Sequence, residues 1–575
     1  MNRNAKRTSY LFALVMMAVS ALVGQREARA TTIGEPTLLT VDGSGESGNG
    51  SSFFAYLTPD GQIAAFESWA TNWASSNYAN TWTDIFLKNR VSGEIRQITK
   101  SYAGGATDED SFDPVLSADG RYVAFFSYAT NLVPDDTNRD EWTRNGLDLF
   151  VYDTLIDHLE RVSLTSNDEE IDGNSVGTIT PDGKITLIIS DGNGVLPGDD
   201  NSDRRSAVYW REWQTGAMER ITGGIDGRFP DGMFVHVWGS YDGSRVAFST
   251  DSSNLVPGDE NGLLDIFLYE RSSGTVKRIS VAADGTEANG ASGQPQITSD
   301  GRYVVFRSHA SNLVRGDNNS VSDIFRYDAE SGAIERVSVD PGGVEGNGQS
   351  KDPSICDNSR LIAYTSDATN LVAGDTNATS DVFLLDMVTG AVELVSDVRD
   401  GEPGNGKAHR SFLAAECDTI AFASEASNLV AGDLNGERDI FTNEIDLPLS
   451  LTAALAVAPV TPGGVELPIA LRLANGGIQA LNLTVAYELP GGTIYVPGSA
   501  SDGATYDAGT VRWAGEISPG ESGTIELAIA IPGEPSIAYP ITHRVQISGD
   551  LTSSLSATTF VNGRTLFLPI ARYQD

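Results

Sequence analysis

The sequence predicts an all-β protein, with a seven-bladed β-propeller followed by a smaller β-sandwich. Two observations lead to this fold class. A motif that opens with Asn-Leu-Val and ends in an Asp-Ile-Phe or Asp-Val-Phe strand recurs through most of the 575 residues. After Leu447 this repeat stops, and short alternating strands take over. A strand-rich repeat of this length is typical of solenoids and propellers.

The repeat is clearest between Asn370 and Asp386. The Asp that opens its last strand recurs every 58 residues in the four best copies, at Asp265, Asp323, Asp381 and Asp439. Three looser copies place Asp84, Asp148 and Ala207 in the same slot. Seven copies therefore predict seven similar units.

Each repeat is predicted to form four antiparallel strands. In the fifth, the strands are 293–299, 302–308, 323–328 and 333–339, where β-branched and aromatic residues alternate with polar ones. Asp300-Gly301 forms a tight turn, and residues 309–322 form a long loop. Four such strands correspond to one propeller blade.

The ends of the repeat region indicate a closed ring. The last repeat lacks a fourth strand after Ile445, whereas Thr37–Ser52 matches the fourth strand and connector at Arg336–Ser350. We therefore expect a propeller from Glu35 to Asp446, in which Thr37–Val41 is the outer strand of the last blade. A solenoid would have polar caps instead.

Strand alternation separates the connections onto two faces. The long loops that contain Asp259, Asp317, Asp375 and Asp433 should share one face with the Gly-Asn-Gly connectors. The Asp-Gly turns, such as Asp300-Gly301, should lie on the other. Because binding residues concentrate on loops held by a rigid scaffold, the long-loop face is the expected binding face.

The segment Ser117–Phe125, with the pattern Ser-x-Asp-Gly-Arg-Tyr-Val-Ala-Phe, resembles the TolB-type (WD40-like) propeller repeat. The resemblance covers roughly Pro36 to Ile445 and departs in the loop between the second and third strands, which is longer here. It implies an extracytoplasmic propeller that binds other molecules. It does not transfer a particular function, because such blades serve many roles.

The C-terminal residues 447–575 are predicted to form one β-sandwich. Asn475-Gly476, Glu488–Gly492 and Ser518–Ser522, with Tyr506 and Trp513 in the aromatic places, resemble an Ig-like repeat of bacterial surface proteins. This resemblance implies a spacer or adhesion domain without catalytic residues. The tail from Leu566 is expected to be a last edge strand, and it lacks a sortase signal.

Residues 1–30 have the organisation of a secretory signal peptide. A basic start is followed by the apolar run Tyr10–Gly24 and by the small-x-small site Ala28-Arg29-Ala30, which predicts cleavage after Ala30 and a secreted, extracytoplasmic protein. No later stretch is long and apolar enough to span a membrane. The formal net charge of −39 argues against nucleic acid and anionic lipid as partners.

Two cysteines, Cys356 and Cys417, flank the same tight turn in the sixth and seventh repeats. Secretion permits a disulfide between them. However, they are three positions out of register, so two buried free thiols remain the alternative.

The strongest chemical signal is an Asp-x-Asn-x-x-x-Asp set in the long loops. Alternating carboxylate and amide oxygens suit Ca²⁺, and the protein needs no other cofactor on this reading. The competing interpretation is structural, with Asp and Asn capping backbone N–H groups of the turn and the second Asp fixing the start of the strand. The candidates for either role are Asp259, Asn261, Asp265, Asp317, Asn319, Asp323, Asp375, Asn377, Asp381, Asp433, Asn435 and Asp439.

Tryptophans concentrate in and around the first long loop, at Trp69, Trp73 and Trp82. Exposed aromatic residues can stack on sugars or fill a partner's pocket, although packing between blades would also explain them. The five histidines show no metal-binding spacing, and Gly173–Gly177 matches a nucleophile elbow only as a string. We predict non-catalytic binding of a protein or glycan at the cell surface. A secreted polysaccharide hydrolase or lyase and a structural envelope component are the alternatives.

Overall fold

The computed structural model describes residues 31–73, 79–137, 146–398, 402–446, 451–457, 460–461, 466–475, 480–501, 503–518, 522–531, 539–549 and 553–561. The expected signal peptide and the tail from Leu566 lie outside these residues. The chain divides into two compact units, one spanning Ala30–Leu447 and the other containing Pro448–Asp575. Among the described residues, no helix could cross a membrane.

The first unit begins with two short strands, β1 (Thr32–Ile33) and β2 (Thr37–Leu38). The described residues that follow form seven antiparallel sheets, one per repeat, numbered here sheets 1 to 7 in chain order. Their strands are β3 (Ser52–Leu57), β4 (Ile63–Ser68), β5 (Asp84–Asn89) and β6 (Ile95–Gln97); β7 (Ser111–Leu116), β8 (Tyr122–Ser127), β9 (Asp148–Asp153) and β10 (His158–Arg161); β11 (Ser175–Ile179), β12 (Ile185–Ser190), β13 (Ala207–Glu212) and β14 (Ala217–Arg220); β15 (Phe234–Gly239), β16 (Arg245–Thr250), β17 (Asp265–Glu270) and β18 (Thr275–Arg278); β19 (Ser292–Ile297), β20 (Tyr303–Ser308), β21 (Asp323–Asp328) and β22 (Ile334–Arg336); β23 (Ser350–Ile355), β24 (Leu361–Ser366), β25 (Asp381–Asp386) and β26 (Val392–Leu394); and β27 (Ala408–Leu413), β28 (Thr419–Ser424) and β29 (Asp439–Asp446).

The seven sheets follow one another in a circle. The first strand of each sheet contacts the first strand of the next, and β27 of the last sheet contacts β3 of the first. Buried aromatic residues fill the space between sheets, such as Phe306 and Phe325, whose stacked rings lie 5.8 Å apart. This circular arrangement of four-stranded sheets is that of a β-propeller.

The N-terminal segment completes the last sheet. Strand β2 pairs with β29 through Thr37 and Thr442 and through Leu38 and Phe441, which confirms the predicted closing strand. The sequence interpretation missed β1, in which Thr32 pairs with Asp446 before the expected start at Glu35. A hydrogen bond of 2.5 Å from Thr40 to Asp439 also joins the two ends of the ring.

The connections separate onto two faces, as strand alternation predicts. On the long-loop face, the long loops bond to the connectors; in one such bond, Asn289 N–H donates to the Asn312 side chain at 3.0 Å. On the opposite turn face, tight turns of neighbouring sheets bond to each other, as where Tyr241 N–H donates to Ser299 C=O at 2.8 Å.

The turn face also contains a disulfide bond. Cys356 ends the first strand region of sheet 6, and its Cα lies 5.3 Å from that of Cys417, in the tight turn of sheet 7. Of the two alternatives that the sequence left open, the disulfide is the one present. Cys417 occupies the position of Gly301 in its turn and has a φ of 65°.

The second unit consists of two facing sheets. One contains β30 (Leu451–Val457), β32 (Glu466–Asn475), β37 (Ser522–Ala530) and β34 (Ile494–Tyr495) in that order. The other contains β31 (Val460–Thr461), β39 (Ser553–Val561), β38 (Tyr539–Gly549), β33 (Leu481–Glu488), β36 (Thr510–Ile517) and β35 (Thr505–Asp507). Alternate residues, such as Leu483, Val485 and Tyr487, are buried in a shared core, so this unit is a β-sandwich.

Candidate functional site at the centre of the long-loop face

The Asn of the repeated loop motif fastens the loop to its surroundings. In sheet 5, Asn319 accepts a hydrogen bond from Val321 N–H at 3.2 Å and donates to Gly346 C=O in the next connector at 3.0 Å. The same two bonds recur at Asn261, Asn377 and Asn435. The capping role predicted for these asparagines is therefore present in the structure.

The second Asp of the motif acts through a hydroxyl group instead of directly on the backbone. Asp323 accepts a hydrogen bond of 2.5 Å from Ser338, and Ser338 accepts one of 3.1 Å from Ile324 N–H. The same hydroxyl lies between Asp and N–H at Asp265, Asp381 and Asp439, where Ser280, Ser396 and Thr40 provide it. The second Asp was expected to fix the start of the strand through bonds to the backbone, and it reaches the Ile324 N–H through this hydroxyl instead. Its partner lies just after the fourth strand, 15 residues from Asp323.

The leading Asp of the motif does not cap the turn in sheets 4 and 5. In sheet 4, the Arg278 guanidinium lies 2.9 Å from Asp259 and 3.5 Å from Asp265. In sheet 5, Arg336 lies 3.3 Å from Asp317 and 3.5 Å from Asp323. Each arginine thus stands between the two carboxylates that the sequence offered as Ca²⁺ ligands.

The tryptophans of the first long loop have different environments. Trp73 packs edge-on against Phe66 and Phe86 of sheet 1, with ring centroids 6.0 and 5.7 Å away, and it packs against a core cluster that also contains Phe412 and Ala421 of sheet 7. Trp82 is half-buried. Trp69 is 51% exposed; its ring packs on Phe53, and its Nε1 donates to Thr83 at 2.8 Å.

A second group of candidate residues lines the axis of the propeller. These are the third residues of six first strands, here called the axial layer: Phe54, Asp113, His236, Gln294, Asp352 and Arg410. The strand register shifts at this point in five of the six strands, and one residue earlier, at Val235, in the strand of His236. Asp113, Gln294, Asp352 and Arg410 have left-handed φ values between 31° and 54°. Bulges re-aim side chains and are frequent beside functional sites.

Polar bonds connect the axial layer across the ring. Arg410 of sheet 7 donates to Asp113 of sheet 2 at 2.8 Å, which passes over sheet 1. Asp113 N–H donates to Glu67 at 2.9 Å. Burial and the Asp113 charge raise the pKa of Glu67 to about 7. The layer therefore holds opposite charges close to the axis, and it contacts the Glu67 carboxyl group, whose pKa is raised.

Aromatic residues line one side of the opening above the axial layer. In sheet 1, Trp69 and Phe53 pack at 4.7 Å, and in sheet 2, Phe112 packs on Phe126 and Tyr128 at 4.8 and 5.6 Å. All five belong to or directly follow the first two strands of their sheets. We call this group, with the axial layer, the axial mouth.

Charged residues line the other side of the axial mouth. In sheet 7, His409 and Arg438 both contact Glu425, at 3.2 and 2.7 Å. Arg438 also lies 5.3 Å from the centre of the Phe53 ring, and Arg410 lies 5.6 Å from that of Phe54. The mouth is thus aromatic over sheets 1 and 2 and charged at sheet 7.

Aromatic rings fill the axis below this layer. Tyr56 of sheet 1 stacks on Trp238 of sheet 4 at 5.9 Å, and on its other side contacts Phe412 of sheet 7 at 4.1 Å. Since sheets 1 and 4 lie across the ring from each other, these rings narrow the axis. A ligand entering from the long-loop face would meet the axial layer first.

The sequence interpretation missed the axial layer, although a signal was present. Proline follows Asp113, Gln294 and Asp352 inside predicted strands. Proline within a strand indicates either an edge strand or a bulge. Because these strands do not lie at a solvent-facing edge, the prolines indicate bulges. The pairing of Arg410 with Asp113 could not be read from the repeat, because no other copy has Arg at this position and the aspartate recurs only at Asp352.

Comparisons with known proteins give little similarity. No family model and no curated protein matches the chain. A protein assigned as a TolB from Agrobacterium tumefaciens is 16% identical over 61% of this chain and 94% of its own, with a TM-score of 0.33. A Vibrio harveyi GH20 exo-β-N-acetylglucosaminidase is 16% identical over 21% of this chain and 19% of its own, with a TM-score of 0.14. At such scores, the fold is established by the strand pairing of this chain itself.

Proposed function

We propose that this chain is a secreted binding protein that recognises a protein or glycan without catalysis, through the axial mouth on the long-loop face. In this proposal, the seven sheets are the blades of a seven-bladed TolB-like propeller, and the β-sandwich is an Ig-like domain that acts as a spacer at the bacterial cell surface. The acidic composition fits a soluble extracytoplasmic protein.

The observation that carries the proposal is the two-sided lining of the axial mouth. Trp69 keeps half of its surface exposed although it lies beside the buried core of sheet 1. Exposed aromatic faces next to fixed charges favour ligands with both apolar and polar surfaces, such as sugar rings or peptide side chains. Nearby Arg410 supplies several hydrogen-bond donors in a fixed geometry.

The test is a glycan array together with a pull-down from the native cell envelope, followed by calorimetry on any ligand found. Trp69→Ala and Arg410→Ala should each weaken binding at least tenfold. Tyr241→Ala is the matched control, because Tyr241 is 50% exposed but lies in a tight turn of the turn face. Equal weakening by Tyr241→Ala would contradict the proposed site.

A second candidate function is cleavage of a polysaccharide, either by hydrolysis or by the elimination reaction of a lyase. It is favoured by Glu67, whose pKa of about 7 suits a general acid or base at neutral pH. Asp113 provides a second carboxyl group beside it. Release of new reducing ends or unsaturated sugars that disappears in Glu67→Gln would favour this function over simple binding.

A further inference from the structure

The paired acids of the long loops are balanced by an internal cation in sheets 2, 4 and 5. Arg278 contacts Asp259 and Asp265, and it also contacts Glu287 at 2.6 Å. Arg336 likewise contacts Asp317 and Asp323, and it contacts Glu345 at 3.0 Å. In sheet 2, the carboxylates of Asp136, Asp148 and Glu170 lie within 4.8 Å of one another, and Arg161 contacts all three. One guanidinium thus serves each buried acidic cluster.

The last two repeats keep the paired acids but lose this arginine. In strand pairing, the position of Arg278 and Arg336 is occupied by Leu394 in sheet 6 and by Leu38 in sheet 7. The glutamate is also replaced, by Pro403 and Ser47 at the positions of Glu287 and Glu345.

The first repeat shows the opposite change, since Gln97 replaces the arginine and Tyr78 replaces the leading Asp. The fold therefore does not require the acid pair where arginine is absent, yet sheets 6 and 7 retain it.

Four oxygens of the retained carboxylates are buried and have no hydrogen-bond partner among the described residues, whereas Asp439 accepts hydrogen bonds from Thr40 and Asn435. Asp375 is 7% exposed, and neither of its carboxylate oxygens has a hydrogen-bond partner. Oδ2 of Asp381, fully buried, and Oδ1 of Asp433, in a side chain 4% exposed, are also unpaired. In sheet 7, the connector 38–50 and the loop 425–439 are both fully described. Buried acidic oxygens of this kind need a cation or a proton.

We propose that the acid pairs Asp375/Asp381 and Asp433/Asp439 each bind a hard divalent cation, with Ca²⁺ as the best match, in place of the missing arginine. Buried carboxylate oxygens are the ligand type that Ca²⁺ prefers, and water completes its coordination. The acid pairs of sheets 4 and 5 bind no metal, because Arg278 and Arg336 already fill that position. This inference does not depend on the proposed ligand of the axial mouth.

The proposal predicts two Ca²⁺ ions per chain. Calorimetry on the chelator-treated full chain should show two sites, and millimolar Ca²⁺ should raise the melting temperature. Asp375→Asn and Asp433→Asn should each reduce the number of sites to one, and the double variant should bind none. Asp317→Asn is the matched control, in a loop filled by Arg336, and should still bind two.

Exchanging the two kinds of cation gives a second, independent measurement. Leu38→Arg combined with Ser47→Glu restores the internal arginine in sheet 7 and should remove one Ca²⁺ site while leaving the fold intact. Arg278→Leu combined with Glu287→Ser should instead create a third site in sheet 4. The proposal is overturned if the chain binds no Ca²⁺ at 10 mM, or if Asp317→Asn lowers the stoichiometry as much as Asp433→Asn does. A melting temperature that responds to pH alone would also overturn it, since a shared proton would then balance the pair.

Discussion

At the scale of single residues, the repeat motif is held by a relay in which Asp, a hydroxyl group and a backbone N–H are bonded in series. The sequence suggested the Asp of this relay because it recurs at fixed spacing. It did not suggest the hydroxyl, although Ser280, Ser338 and Ser396 recur with the same 58-residue period. Serine is common in turns and strands, so its period stands out only when its partner is known.

Removing the hydroxyl should destabilise the propeller. Ser338→Ala leaves Oδ1 of the buried Asp323 without a donor and Ile324 N–H without an acceptor. We expect a loss of about 1–3 kcal/mol in the free energy of unfolding. Denaturant unfolding measures it, and Ser331→Ala, in an exposed turn, should cost much less. Equal losses would show that the relay contributes nothing specific.

A buried histidine makes the sandwich sensitive to acid. His543 accepts or donates a 2.7 Å hydrogen bond with Tyr487, and burial lowers the pKa of His543 to about 4. The unfolded chain binds a proton near pH 6.5, whereas the folded sandwich resists protonation to about pH 4. The unfolded state therefore binds more protons in this window, and stability is lost as the pH falls from 6.5 towards 4.

The expected loss is on the order of 3 kcal/mol below pH 4. Melting curves between pH 7.5 and 4.5 should show the sandwich transition moving to lower temperature. His543→Gln should flatten this dependence, whereas His309→Gln, at an exposed position of the propeller, should leave it unchanged. A sandwich transition that ignores pH would rule out the buried neutral histidine.

At the scale of strands and sheets, the prediction succeeded where one repeat could be compared with another. The four-strand parsing, the two faces and the closing strand all follow from aligning repeats with each other. The axial bulges escaped because they interrupt the alternation from which strands are recognised. Strand β1 escaped because two residues carry no detectable pattern.

Deleting residues 31–41 should open the ring and lower the melting temperature markedly. Besides the pairing of β2 with β29, the deletion removes Leu39, which is 3% exposed and alone contributes about 1.5–3 kcal/mol. A shorter deletion of residues 31–35 removes only β1 and should have a smaller effect. If the two deletions lower the melting temperature equally, β2 does not close the ring.

At the scale of the whole molecule, the disulfide joins sheets 6 and 7. It shows why the three-residue offset between the two cysteines in the aligned repeats is no obstacle to their pairing. Turn positions of one sheet approach the end of the first strand in the preceding sheet. A Cβ built on Gly183, for example, would lie 3.2 Å from Ser117. Cys417 and Cys356 occupy these two kinds of position, so an offset of three residues is the correct match. Sequence could not reveal this offset between neighbouring sheets.

Replacing both cysteines by alanine should lower stability by up to about 4 kcal/mol, the chain-entropy value for a loop of 61 residues. Thermal unfolding of this double variant measures the loss. Reduction of the unmodified protein is the control and should shift the melting temperature in the same direction. A double variant as stable as the oxidised protein would contradict a stabilising disulfide.

The pairing of Thr40 with Asp439 spans 399 residues, which sets the order in which the chain can fold. During synthesis, the edge of sheet 7 stays open until its last strand has emerged, and contacts of such long sequence separation form slowly. In the interval, β29 can accept the N-terminal strand of any copy that is near. At high concentration, refolding should therefore yield strand-exchanged dimers and longer chains of molecules, while dilute refolding should yield closed monomers.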